Sequence, residues 1–469
     1  MIRAIYLFIF LSFSILCYSQ NWRAFNDLGP DNNWSTISNW DTANGGPSLP
    51  LSNTDLNIDI WNNVSSIFVD VDFNMKTFSN NPTRIASDGS IAINGSQTLT
   101  IDNQSNSYPA GDNALGLFNE SSEGTTLQIN CNIIIENSFT PNQFVGWTTI
   151  RNINGASNSI VFGNSSTLTL SGNGNTSTWS DNEAQSVIFE GVLLSPNSGV
   201  SRDLQFGKNS KNNIFNATAD NSMFKGNFRF LDNSEVIVNT SNFANAATGN
   251  TKLFANGNGL IVLNIENCLQ NGVDINVNKK KTFTLDINES QNELGQILFT
   301  GNSPEGVIVL NISDLDDFNT IVFEDNSSTD WLQGSINIVG FREGLIKFGN
   351  DVNGLTQDQL DVIEIIDGPY MGMDVALDSF GQLHLASTLS EQNVNTFRFS
   401  IYPNPADNQI FIQSEELLKQ AQILDLLGKT VFTTNKTANI DLSNLTSGMY
   451  VLQLEAESGG LATKKIVKK

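Results

Sequence analysis

Histidine is almost absent: His384 is the only one in 469 residues. One imidazole and two separated thiols cannot build the usual zinc ligand sets, and a Ser-His-Asp or Cys-His site would need assembling around His384 with no motif in support. Cysteine is scarce as well. Cys17 lies in an N-terminal apolar run, Cys131 falls in phase with Ile129 and Ile133, and nothing in the sequence brings Cys268 beside it, so the chain is no disulfide scaffold. Positive charge is sparse. Twenty-four Lys and Arg against 48 Asp and Glu leave a net charge of −24, which repels nucleic acid and anionic lipid and disfavours polyanionic substrates. Beyond the N-terminal segment, no apolar run is long enough to cross a bilayer. Helical periodicity is nearly missing too. Its exception is Thr356 to Ile363, where Leu355, Leu360 and Ile363 can line one face of a short turn.

What fills the chain instead is apolar alternation of period two. Ile91 and Ile93, Leu99 and Ile101, the odd positions from Leu127 to Ile135, Ile160 and Phe162, and Leu168 and Leu170 follow it, and the series runs on through Val236 and Val238, Phe283 to Ile287, Ile321 and Phe323, and Ile336 and Ile338. Asn-Gly, Gly-Asn and Asn-Ser pairs punctuate the bursts. Sandwich domains in series would show linkers or proline clusters about every hundred residues, and none stands between Trp34 and Asp367. Short strands, frequent turns and asparagines able to stack at corners fit a parallel β-solenoid. The expected fold is therefore all-β, a parallel β-helix followed by a small C-terminal Ig-like β-sandwich.

Two segments frame the solenoid. Trp34-Ser35-Thr36-Ile37-Ser38-Asn39-Trp40, followed by Pro47, Pro50 and Asp55-Leu56-Asn57-Ile58, resembles the tryptophan-rich opening of bacterial surface β-solenoids, where it caps the open core. Gly334 to Phe341, Lys347-Phe348-Gly349, Leu355 to Leu360 and Leu377 to Leu383 resemble the closing module of autotransporter-like passenger repeats, with Phe341 where that family often has tryptophan. The expected passenger is 20–385, and the polar stretch 386–395 is its linker.

The tail 396–469 carries the most specific motifs. Tyr402-Pro403-Asn404-Pro405 ends one extended segment and turns the chain, Ile410 and Ile412 alternate with Phe411 and Gln413, Ile423 to Leu427 reads as a buried run, and Gly428 and Gly448 stand where hairpin turns call for positive φ. Lys464, Lys465, Lys468 and Lys469 flank Ile466 and Val467 as on an edge strand. In this order the residues resemble the type A C-terminal sorting domain of the type IX secretion system of Bacteroidota. The resemblance implies recognition by the outer-membrane translocon and cleavage by its C-terminal signal peptidase, with the cargo released or attached to surface lipopolysaccharide. Tyr402, Pro403, Asn404, Pro405, Gly428, Gly448 and Tyr450 are the residues to which it assigns fold and recognition. At the other end, Met1-Ile2-Arg3, the apolar run Ile5 to Cys17 and Tyr18-Ser19-Gln20 read as a signal peptide, 1–19.

Catalytic candidates are weak. His384 alternates with Leu383 and Leu385, which turns it toward solvent. Asp55 with Asp59, Asp70 with Asp72, or Asp314 with Asp316 and Asp317 offer calcium ligands, but none follows an EF-hand loop, so no cofactor is expected and calcium is the weak alternative. Arg151, Arg202, Lys208, Lys211, Lys225 and Arg229 would line a groove for an anionic sugar if they stacked on one face. Trp147, Trp179 and Trp331 would stack on sugar rings if exposed. Thr98 with Thr100 and Thr167 with Thr169 hint at an ice-binding face, too few for a regular array. The reading is an exported, non-catalytic adhesin-like solenoid for glycan, protein or matrix, with a polysaccharide lyase or glycoside hydrolase as the alternative.

Overall fold

The computed structural model describes residues 21–25, 31–42, 49–50, 52, 55–60, 66–75, 77–80, 91–102, 115–119, 125–137, 148–152, 157–172, 176–180, 185–195, 203–248, 252–278, 280–300, 306–331, 334–386, 397, 399–414, 416–425, 428–458 and 460–469. The expected signal peptide and residues 387–395 of the expected linker lie outside them. The chain divides into two compact units, Met1–Ala386 and Ser387–Lys469.

In the first unit the period-two bursts become strands that alternate between two long sheets, of 14 and 15 strands among the described residues. Successive strands of a sheet come from successive coils and pair in parallel. Val236, Ile261, Leu285, Leu310, Ile338 and Ile365 thus fall into one register column, and all six are buried. This is a parallel β-solenoid. Because side chains alternate across a strand, one residue in two enters the core, and stacking coils sets like on like. Phe162, Phe189 and Phe215 occupy one column with ring centroids 5.4 and 4.4 Å apart and planes 9° from parallel.

Corner asparagines form ladders, as the composition suggested. Just past three successive strands, Asn264 Nδ2 donates to Asn239 Oδ1 (2.9 Å) and Asn288 Nδ2 to Asn264 Oδ1 (2.8 Å), across steps of 25 and 24 residues. Asn264 thus donates to the coil before and accepts from the coil after, which pairs polar groups that a coil corner would otherwise bury unsatisfied. Cys131 and Cys268 are free and buried, and burial pushes both thiols up to about 12.

Both ends are closed. At the start, Trp34 and Trp40 are buried with Phe25; their rings meet edge-on at 4.9 Å, and the Trp40 indole N–H donates to the Trp34 carbonyl (2.7 Å). The opening tryptophans therefore act as the core's lid. Near the end, Thr356 and Gln359 form a capping box on the helical turn Gln357–Leu360. The buried Gln359 amide donates to the carbonyls of Asn326 (2.7 Å) and Thr329 (2.9 Å) on the preceding coil. An antiparallel hairpin, Val375–Leu377 with Leu383–Leu385, then abandons the parallel register and sets Val375 and Leu383 on the core.

The second unit is antiparallel. Phe399–Tyr402, Gln409–Ser414 and Asn439–Asp441 make a three-stranded sheet, and Thr430–Thr434, Leu418–Leu424, Gly448–Ala456 and Leu461–Lys468 a four-stranded one. Ile410, Ile423, Ile440, Leu442, Leu452, Leu454 and Ile466 form their shared core, a small β-sandwich.

Candidate functional site

The terminal strand Leu461–Lys468 lies at the edge of its sheet, so one row of its main-chain groups faces away from its neighbour. The Tyr402–Ala406 turn covers part of that row. Asn404 Nδ2 donates to the Lys465 carbonyl (2.7 Å), and the Val467 N–H donates to Asn404 Oδ1 (2.8 Å). A carboxamide carries a peptide's donor and acceptor side by side, so Asn404 behaves as one residue of an added strand. Pairing then passes to the backbone: Ala406 N–H donates to the Val467 carbonyl (2.8 Å) and Lys469 N–H to the Ala406 carbonyl (2.9 Å). Pro403 and Pro405, both preceded by cis peptides, flank Asn404 and offer no N–H of their own.

The other expected residues divide between surface and core. Tyr402 is 55% exposed, its ring stacked on Phe411 at 5.6 Å. Tyr450 is buried, and its hydroxyl donates to the Thr446 carbonyl (2.9 Å). Gly428 adopts φ +81° in a turn where Asp425 Oδ1 accepts the Lys429 N–H (3.0 Å), a conformation costly for any residue with a Cβ. Gly448 differs from expectation. It opens the strand Gly448–Ala456 opposite Lys468 without positive φ, because the bend before it is made by the preceding residues. Lysine placement is also uneven: 387–469 hold eight Lys and Arg and eight Asp and Glu, so the whole formal charge of −24 falls on 1–386.

The solenoid also carries a groove that sequence reading missed. It is open, about 820 Å3, and lined by Asn271, Asn292, Glu293, Glu324, Asp325 and Asp351 among others. Four successive coils converge there: Gly272 N–H donates to the Glu293 carbonyl, Glu324 N–H to the Leu294 carbonyl, and Gly349 N–H to the Phe323 carbonyl. Gly272, at φ +76°, lies under the Glu324 carboxylate, which a Cβ there would meet at 2.6 Å. The one sequence signal was the recurrence of acidic pairs on successive coils, Asn292-Glu293, Glu324-Asp325 and Asn350-Asp351.

The solenoid's sequence candidates are brought together only in part. His384 is half-buried rather than free in solvent, with Nδ1 3.8 Å from Glu343 and Nε2 3.5 Å from Asp378. Trp331 is 2% exposed: its N–H donates to the Ile297 carbonyl (3.0 Å), so it is a core residue and no sugar platform. Trp147 and the Trp179 side chain lie outside the described residues. Among the described residues, two of the cations already hold carboxylate partners. Arg229 pairs with Asp203 and sits over the Phe254 ring at 4.5 Å, and Lys211 pairs with Glu235 (3.4 Å). Asp232 is held below its ordinary range by a hydrogen bond from Lys281, with Lys208 adding a smaller pull. Arg202 is outside the described residues, as are the Asp55 and Asp59 side chains. Asp70 accepts from Ser35, Asp72 takes the Thr98 N–H (2.8 Å), and Asp317 pairs with Arg342 (3.1 Å). Among the described residues no three His, Cys, Asp or Glu gather as a metal site. Thr98 and Thr167 share a register column with Asn132 between them, and Thr100 and Thr169 one with Ile134 between.

A parallel β-solenoid followed in the chain by a small sandwich, whose terminal strand is held by its own Pro-Asn-Pro turn, is a passenger carrying an appended recognition module. Residues 400–469 match the family described as the secretion system C-terminal sorting domain. The chain is thus type IX secretion cargo, exported to the cell surface or secreted, and its tail interacts with that system. No curated protein and no solved structure matched the chain.

Proposed function

We propose that the mature chain is a cell-surface or released β-solenoid that binds glycan, protein or matrix without transforming it. A signal at 1–19 takes it across the inner membrane. The tail from 396, beyond the linker 386–395, takes it across the outer one, is removed by the C-terminal signal peptidase, and leaves the passenger free or joined to lipopolysaccharide. The observation that carries the binding half is the groove: amides of Asn271, Asn292 and Asn350 beside the carboxylates of Glu293, Glu324, Asp325 and Asp351. Such a mixture of donors and acceptors suits a ligand rich in hydroxyl groups.

The same carboxylates favour a second reading, a glycoside hydrolase, since two carboxyl groups flanking a bond suffice for that chemistry. The lyase reading has less behind it, because Arg229 and Lys211 already hold carboxylate partners. Purified passenger incubated with alginate, pectin, chondroitin and neutral glycans separates them. Retention on a glycan array with no new reducing or unsaturated ends, lost in a Glu293→Gln, Glu324→Gln double variant, is the expected result. Product formation abolished by the same substitutions would overturn it in favour of the enzyme.

A further inference from the structure

The terminal strand is sealed along only part of its outer edge. Lys465 and Val467 turn their outward groups to Asn404 and Ala406, and antiparallel alternation sends those of Leu461 and Thr463 the same way. Nothing in the Tyr402–Ala406 turn pairs with these two. Thr463, Lys464 and Lys465 are exposed. Lys464 reaches across to the Phe399 carbonyl (3.2 Å) and over its ring (5.7 Å), while Lys465 alternates to the opposite side of the strand.

Open edges invite strand addition, and lysines on an edge oppose pairing with a like-charged copy of itself. They do not oppose an acidic strand. We propose that the segment Leu461–Lys465 is where the secretion machinery reads the tail, by adding an extended, carboxylate-bearing segment of its own as a further strand. Main-chain bonds to Leu461 and Thr463 would supply register, and Lys465 the charge complement. The proposal rests on the sorting role of 400–469 and names the surface that performs it. It also gives the Asn404 turn a second consequence: by occupying the rear of the edge it confines addition to the front.

The test is Thr463→Pro in full-length protein expressed in a type IX-secreting bacterium, read by immunoblots of periplasm, surface and medium. Proline removes an N–H that faces outward, so the ladder to Gly448–Ala456 keeps its bonds. Thr463→Val is the control, and Lys465→Glu reverses the charge without touching the main chain. Expected are a roughly tenfold or larger fall in export for Thr463→Pro and for Lys465→Glu, folded protein accumulating in the periplasm, and wild-type export for Thr463→Val. Wild-type export of Lys465→Glu together with a folded Thr463→Pro, while a chain lacking 400–469 stays inside, would overturn the edge and leave the sorting role standing. Should the proline unfold the tail, Lys465→Glu decides alone: normal export overturns the proposal. Normal export of the chain lacking 400–469 would remove the sorting role itself. Self-association of the purified chain that Thr463→Pro dissolves would assign the edge to a second copy and also overturn it.

Discussion

Replacing Asn404 with alanine deletes two hydrogen bonds and almost nothing else, because the side chain spans the gap between the Pro-Pro turn and the terminal strand. A protein hydrogen bond contributes about 0.5–1.5 kcal/mol net. Asn404 is exposed, so water replaces part of each bond, and the pair should be worth about 1–2 kcal/mol to local closure of the strand edge. That corresponds to roughly a 5- to 30-fold shift in the open fraction. The effect should be local, since the four-stranded sheet keeps its ladder between Gly448–Ala456 and Leu461–Lys468. Hydrogen–deuterium exchange on full-length Asn404→Ala, resolved to single amides, should show the Val467 N–H exchanging faster by that factor. The amides of Lys464 and Ile466, which face the neighbouring strand, should hardly change. Asn404→Asp keeps the acceptor for Val467 and loses the donor to Lys465, so it should fall between. Unchanged protection at Val467 in the alanine variant would refute the idea that the turn holds this edge through Asn404.

Two further outcomes follow from the solenoid core and its charges. Phe215→Ala removes a ring stacked on Phe189 and edge-on to Phe243 at 4.9 Å, at a cost of about 3–5 kcal/mol. Because coils interact mainly with their neighbours, exchange protection should drop first in Ser186–Phe189 and Ser234–Val238, and a loss below about 1 kcal/mol in urea melts would contradict the stack. Asp286 has its carboxyl raised above the ordinary 3.8, first by burial and then by the nearby charge of Asp314. Its contribution is most favourable below the unfolded value and is lost as pH rises through the folded one. Asp286→Asn, which still offers an acceptor to the Asn311 amide, should therefore melt higher than wild type at neutral pH and lose that advantage toward pH 3; an advantage independent of pH would refute the assignment.

Local chemistry made the architecture legible in advance. Alternation of apolar residues has only one stable use, a strand with one face buried, so the odd positions from Leu127 to Ile135 identified the strand and also placed Cys131 in the core. The opening tryptophans were readable as a lid, and Thr356 to Ile363 as a helical turn, for the same reason: each is completed by residues close in sequence. Period two does not say which coil lies above which, nor where an irregular coil turns inward. Trp331 looked like a candidate platform until the coil carried it into the core, and Arg229 a candidate groove cation until Asp203, from the coil before, neutralised it. Gly448 was misjudged because φ depends on how the preceding bend is shared. The groove depended wholly on stacking, since Glu293, Glu324 and Asp351 become neighbours only when three coils are laid in register. So did the part played by Asn404, whose partners lie 61 and 63 residues further along the chain. Its residue type advertised a turn; only the antiparallel sheet, by leaving an edge with unpaired main-chain groups, made it a surrogate strand.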